Sequence, residues 1–199
     1  MSKKIRRATV EDLARIQEIY RPYVEQEDIV VNSEHRVPTM EELEERFALV
    51  TKEFPWLVCE IDDVVVAYAY AGKPFKREGY KWNAEVSVYA DGKYHGRRLA
   101  SALYECLLEL LKEQGYYNVY ACILSINEKS IKFHEKYGFK VMSVFPNSVH
   151  KHDKWIDVIW MNKVLQEFKN DVKNPISIWD LDKELVDNIL NKNGDIIKG

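Results

Sequence analysis

The stretch Lys93 to Tyr116, KYHGRRLASALYECLLELLKEQGY, constrains the fold of this chain more than any other. Leu99, Ala102, Leu103, Cys106, Leu107, Leu110 and Leu111 recur at helical spacing, and Gly115 closes the run. That pattern demands a helix with one long apolar face packed against a larger body. The segment before it, AEVSVYA, reads as a strand with Glu85, Ser87 and Tyr89 at alternate positions. HGRRLA must then be a tight turn. A strand that passes through such a turn into a helix presents unsatisfied N–H groups and the positive end of the helix dipole to an anion. Many units of this kind bind nothing, so the turn alone names no ligand.

The rest of the chain supplies the body. IRRA reads as a short strand, and Thr9-Val10-Glu11-Asp12 as the opening of a helix striped by Leu13, Ile16, Ile19 and Tyr20. Pro22 lies near the end of that helix, and residues 25–38 are polar and irregular. A capping box at Thr39–Glu42 starts a second helix with Leu43, Phe47 and Val50 on its buried side. WLVCEID and VVVAYAYAG are two strands joined by an Asp-Asp turn. After the loop KPFKREGYKW and the central strand come the long helix and the strand NVYACIL. A helix from Asn127 to Tyr137 follows, then a strand FKVMSVF and a final strand over Lys154–Lys163. The order β-α-α-β-β-β-α-β-α-β-β predicts an α/β protein of the α+β type, with a mostly antiparallel central sheet flanked by helices.

Composition narrows the function classes. The chain has 199 residues, 46% of them hydrophobic, and a net charge of −3 with both signs interspersed. This suits one domain with an appendage and argues against nucleic acid as a partner. No apolar segment follows MSKKIRR, so neither a signal peptide nor a membrane anchor is expected, and the expected location is the cytoplasm. Cys59, Cys106 and Cys122 are widely spaced within apolar segments and read as reduced core thiols. The histidines lack metal-site spacing: His150-x-His152 reads as a solvated pair beside Lys151, and no metal is implied.

Taken together, IRRATVEDL, FPWLVCEIDD, VAYAYAG, Arg77-x-x-Tyr80-x-Trp82, AEVSVYA, SALYECLLELLKEQGY, NEKSIKFHEKYGF and KHDKWIDV resemble the GNAT superfamily of acyl-CoA-dependent N-acetyltransferases. The order and spacing are similar to its phosphinothricin acetyltransferase-like branch over about residues 5–165. The resemblance implies a GNAT domain over residues 1–165, with a cofactor cleft between splayed central strands. It leaves residues 166–199 as an extension, in which Trp179, Leu181, Leu185, Val186 and Ile189 suggest a short amphipathic helix ended near Gly194. It also implies acetyl transfer from acetyl-CoA to the amine of a small amino-acid-like acceptor, of the phosphinothricin or methionine sulfone kind, by direct attack in a ternary complex.

Site residues follow from the same resemblance. Glu85 matches the family's base, and His134 the residue that protonates the leaving thiolate or relays a proton. An α-amine with a pKa of about 7.7–8 is mostly protonated at neutral pH, so a base is chemically needed. The diphosphate would be held by His95, Gly96, Arg97, Arg98, Leu99, Ala100 and Ser101, and the pantetheine arm by Asn127 and Ser130. Helical spacing puts Asn127, Ser130 and His134 along one face. Backbone groups near Val88, Tyr89 and Ala90 would polarise the thioester carbonyl. Arg77, with Tyr80 and Trp82, matches the loop that recognises an acidic acceptor group.

Two departures stand out. The family turn reads Gln/Arg-x-x-Gly-x-Gly/Ala, whereas here His95 opens it and Arg98 replaces the central glycine. A left-handed conformation at Arg98 would cost roughly 1–2 kcal/mol, about 5- to 30-fold in affinity if it fell wholly on the binding state. Two guanidinium groups near the phosphates would offset it. Asp28-Ile29-Val30-Val31 replaces an aromatic segment of the acceptor pocket, which points away from phosphinothricin itself as the natural acceptor. The alternative to an enzyme is a non-catalytic ligand-binding or interaction module with a degenerate turn, and a protein- or peptide-acetylating enzyme is a third option. The aromatic last strand and the tail offer surfaces for a homodimer.

Overall fold

The computed structural model describes residues 2–26 and 31–198. The elements run β1 (Lys3–Arg7), α1 (Leu13–Glu25), α2 (Met40–Val50), β2 (Trp56–Ile61), β3 (Val64–Gly72), β4 (Asn83–Ala90), α3 (Leu99–Glu113), β5 (Asn118–Leu124), α4 (Glu128–Lys136), β6 (Lys140–Lys151), β7 (Lys154–Val164) and α5 (Lys183–Gly194). They build one open seven-stranded sheet in the order β1-β2-β3-β4-β5-β7-β6. Among the described residues only β4 and β5 pair in parallel, and every other neighbouring pair is antiparallel.

Both faces of the first half of the sheet are buried, which is why β2 and β3 read as continuous apolar runs. On one face Leu57, Cys59, Ala67, Ala69, Ala71, Ala84 and Val86 pack under α3. The alanines let that helix lie close to the strands. On the other, Trp56, Val58 and Tyr68 fill the deeper space beneath α1 and α2, with Tyr70 and Tyr89 packed against them. The alternation of alanine and tyrosine in β3 therefore sets the thickness of each layer. The Asp-Asp turn between β2 and β3 holds Asp62 at φ 48° and Asp63 at φ 62°, the twist that a two-residue hairpin needs.

The strand expected over FKVMSVF runs on to Lys151. Pro146 does not end it, because β6 is an edge strand and the register shifts between Phe145 and Val149 absorb the missing donor. Residues past β7 pack onto their own chain. Ile178, Val186, Ile189, Leu190 and Ile197 join the core beside α3. Trp82 Nε1 donates to Lys173 O at 2.8 Å, and Trp179 Nε1 donates to Thr51 O at 2.6 Å.

Candidate active site

The parallel pairing of β4 with β5 covers Asn83–Glu85 against Asn118–Tyr120 and then stops. Beyond it both strands continue, β4 to Ala90 and β5 to Leu124, with no ladder between them. Glu85 therefore sits at the fork of a cleft. Its carboxyl is half-buried, accepts no hydrogen bond from another described residue, and is raised above the ordinary carboxylate range by burial.

The backbone phase of β4 decides which groups face that cleft. Asp91 N–H donates to Val66 O at 2.9 Å, and the register continues through Tyr89–Tyr68 and Ser87–Tyr70. Residues 85, 87, 89 and 91 thus turn their N–H groups to β3; residue 86 turns its own to the paired end of β5, and residues 88 and 90 turn theirs to the cleft. Of the two N–H groups expected to polarise the carbonyl, Val88 turns its own toward the cleft, whereas Tyr89 N–H is committed to β3. Ala90 is already engaged, since Tyr23 Oη donates to its carbonyl at 2.6 Å and accepts from its N–H at 3.3 Å. The Tyr89 side chain lies on the α1 face, edge-on to Tyr20 and Tyr23, with its hydroxyl 3.3 Å from Asn32 Nδ2.

The turn before α3 and the end of β4 enclose a cavity of about 290 Å³, lined by Ala90, Tyr94, Gly96, Arg98, Ser101 and Phe133 among others. Gly96 has φ 83° with open space where a Cβ would stand. Arg98 has φ 62° and ψ 22°, so it does adopt the left-handed conformation. His95, Leu99 and Ala100 also line the cavity. The N–H groups of Arg98, Leu99, Ala100 and Ser101 have no acceptor among the described residues, leaving four donors at the helix start. Arg97 does not line the cavity; its guanidinium lies over the Tyr94 ring, 5.5 Å from the centroid. Tyr94 and Phe133 are cavity residues that sequence reasoning missed. The aromatic pattern beside the turn was the available signal.

On α4, Asn127 Oδ1 accepts from Ser130 N–H at 3.1 Å, and Ser130 O lies 2.7 Å from His134 Nδ1. The expected face is thus joined by hydrogen bonds. His134 is 5% exposed and ringed by Tyr104, Phe133 and Phe139. With Nδ1 against a carbonyl, that nitrogen carries the proton and Nε2 the lone pair. Burial lowers its pKa below the ordinary histidine value, so the ring is neutral at pH 7. No hydrogen bond joins it to Glu85.

The acceptor side is aromatic. Phe75 packs on Tyr80, Tyr120 and Trp160, with centroids 4.9, 5.8 and 5.9 Å away. This brings Tyr80 beside the β5 strand that flanks Glu85. The exposed Arg77 guanidinium makes no hydrogen bond or ion pair with another described residue, so it does not brace the loop. Trp82 faces elsewhere, bonded to the tail through Lys173. Asp28, Ile29 and Val30 of the altered acceptor segment lie outside the described residues. Cys122 is exposed rather than a core thiol, because it alternates with the buried Val119, Ala121 and Ile123 onto the other face of β5. Although the side chain is accessible, the surrounding protein desolvates the thiolate and the Glu85 charge adds to this, so the thiol is pushed up to about 11.

The model of the acetyltransferase (GNAT) domain matches residues 5–160. The chain belongs to the GNAT acetyltransferase family. It is similar to the phosphinothricin N-acetyltransferase of Streptomyces viridochromogenes, 32% identical over 160 residues that cover 78% of this chain and 84% of the relative. The L-methionine sulfoximine/L-methionine sulfone acetyltransferase of Salmonella typhimurium is 31% identical over 82% of this chain and 95% of its own length. Among solved structures, a GNAT superfamily phosphinothricin acetyltransferase from Sinorhizobium meliloti in complex with AcCoA superposes with a TM-score of 0.78. It is 27% identical, with 86% of this chain and 96% of that one covered. This GNAT chain is an acetyl-CoA-dependent N-acetyltransferase, and none of these matches favours a non-catalytic module. Among the described residues no helix is long and apolar enough to cross a membrane.

Proposed function

We propose that this GNAT enzyme acetylates the amine of a small amino-acid-like acceptor carrying an acidic group, with Glu85 as the base. The carrying observation is the end of β4–β5 pairing at Glu85, with a desolvated carboxylate at the fork and the Val88 N–H just beyond it. Acetyl-CoA supplies the thioester. The residues present fit it: the open edge of β4, the cavity at the turn, and four unpaired N–H groups at the start of α3 suited to a diphosphate. Asn127 and Ser130 stand at the start of α4, where the pantetheine arm would pass.

Glu85 takes the proton from the acceptor ammonium, and its raised pKa makes it a better base than a solvated carboxylate. As the freed amine nitrogen bonds to the thioester carbon, Val88 N–H donates to the carbonyl oxygen where negative charge develops. The C–S bond breaks as the carbonyl re-forms, and the second proton shed by the attacking nitrogen goes to the departing CoA thiolate. Arg77 receives the acceptor's carboxylate or phosphinate, and Tyr80 walls the same side. His134 enters only as a proton acceptor through Nε2, because its neutral ring has no proton to give there. Attack is direct: a Cys122 thiol pushed up to about 11 is almost wholly protonated at neutral pH and makes a poor acyl carrier. The location is cytoplasmic, and a second copy packs along the edge strand β6, where Val141, Met142, Val144 and Phe145 are exposed. Residues 166–199 extend the GNAT domain of residues 1–165.

The test is a screen of phosphinothricin, methionine sulfone, methionine sulfoximine and the common amino acids with acetyl-CoA. We expect turnover of acceptors bearing both an amine and an acidic or sulfonyl group, with intersecting initial-rate lines. Glu85→Gln should lower kcat by about 100-fold or more, and Arg77→Ala should raise the acceptor KM with acetyl-CoA KM unchanged. Turnover restricted to peptides, or parallel initial-rate lines, would overturn the proposal.

A further inference from the structure

The segment beyond the family-matched residues reaches back to the cofactor turn. Lys198 N–H donates to Arg97 O at 2.9 Å. The end of the tail is fixed from two other directions. The Ile197 side chain is 2% exposed within the core, and its carbonyl accepts from Lys3 Nζ at 2.6 Å. Upstream, α5 is anchored to the same helix that the turn opens: Lys192 Nζ and Asn193 Nδ2 bond to Glu109 on α3 at 3.0 and 3.2 Å. We propose that the C-terminal segment is a positioning element for the coenzyme's diphosphate, acting through the Arg97–Arg98 peptide.

A trans peptide unit is planar, so its C=O and the following N–H point in opposite directions. Holding Arg97 O against Lys198 therefore turns Arg98 N–H away from the tail. Arg98 lines the cavity at the turn and no described tail residue does, so the freed donor belongs to the cavity side. Arg98 also holds a left-handed backbone, which a non-glycine residue keeps only where its surroundings enforce it. The bond from Lys198 is one such constraint. A glycine-bearing turn relaxes into this shape unaided; with arginine there, the tail supplies the constraint from outside.

This inference rests on the turn being the phosphate site, and the experiment keeps the two apart. Acetyl-CoA affinity of the full chain is measured by calorimetry, alongside turnover of methionine sulfone with acetyl-CoA or with S-acetylpantetheine, which lacks the diphosphate. Lys198→Pro removes the N–H donor, and Lys3→Met releases Ile197 O. Each should weaken acetyl-CoA by about 3- to 10-fold, the factor one net hydrogen bond is worth, with kcat at saturation unchanged. Lys198→Ala and Lys3→Arg should match the wild type. S-acetylpantetheine turnover should not change. Wild-type affinity in both Lys198→Pro and Lys3→Met, or an equal loss with S-acetylpantetheine, would overturn the inference. Ala100→Glu tests the phosphate reading itself: a carboxylate in the first turn suits the helix but repels a diphosphate. If it leaves acetyl-CoA affinity intact, that reading fails whatever the tail does.

Discussion

Lys151 Nζ donates to Asn32 O at 2.9 Å and so ties the tip of β6 to the connection between α1 and α2. The same ammonium donates to Val24 O at 3.1 Å and Glu34 O at 2.8 Å, and the residue is 2% exposed. Asn32 in turn donates to Tyr20 Oη at 2.6 Å and reaches Tyr89 on the central strand. A buried lysine saturated by three carbonyls thus clasps the β6–β7 hairpin over the acceptor face. Lys151→Met keeps the stem but leaves those carbonyls without a donor. We expect a loss of about 2–3 kcal/mol, read by urea denaturation, and a higher KM for the acceptor with that for acetyl-CoA unchanged. Wild-type stability would show that the clasp holds nothing.

Arg98 carries two effects of opposite sign. Its φ of 62° is strained for an arginine, and glycine relieves roughly 1 kcal/mol there. For a chain of this length that is a rise in Tm of about 2–4 °C. Arg98 also lines the cavity proposed for the diphosphate, and it carries a positive charge suited to phosphate. Arg98→Gly should therefore be more stable and yet bind acetyl-CoA several-fold more weakly. Calorimetric titration beside a thermal melt separates the two. Tighter binding in the variant would mean that the arginine only obstructs the turn.

Cys122 offers a direct check on the absence of an acyl-enzyme. It opens into the cleft near Glu85, with its thiol pushed up to about 11 by burial and by that carboxylate. Cys122→Ser should retain wild-type kcat within about 2-fold, because no step of the proposed chemistry uses the sulfur. In the wild type, N-ethylmaleimide should react with it more slowly than with a free thiol, whose pKa is about 8.5, and faster in Glu85→Gln. Loss of turnover in the serine variant would require a covalent intermediate.

Much of the layout could be read from residue order, because each element carries its own periodicity and punctuation. The capping box Thr39–Glu42, the heptad-like stripe of α3 and the Asp62-Asp63 turn are local, and each appears where the pattern puts it. Features that depend on pairing between distant segments were not legible. The choice of Val88 over Tyr89 follows from which N–H groups β3 consumes, and side-chain pattern does not encode that phase. Lys151 and Asn32 are 119 residues apart and Lys198 meets the turn a hundred residues away; neither partner has a local signature. Cys122 misled because an apolar strand residue looks the same on a covered face as on an open one.

Glu85 links activity and stability with opposite signs. Burial raises its folded-state pKa above the unfolded value, so folding favours the protonated acid. The favourable contribution is full below the unfolded pKa and is lost as pH rises through the folded pKa. At neutral pH the ionised carboxylate is therefore a cost, and Glu85→Gln should be at least as stable as the wild type there, with the difference vanishing in acid. Activity runs the other way. The base must be ionised, so kcat/KM should fall on the acid side through a pKa above the ordinary carboxylate range, and the Gln variant should lack that limb. His134, lowered by burial, is neutral over the same neutral range and adds no alkaline loss. His134→Phe, which preserves the aromatic packing with Tyr104 and Phe139, should shift the acid limb only if the ring accepts a proton from Glu85. An acid limb that survives unchanged in Glu85→Gln would assign the base to another residue.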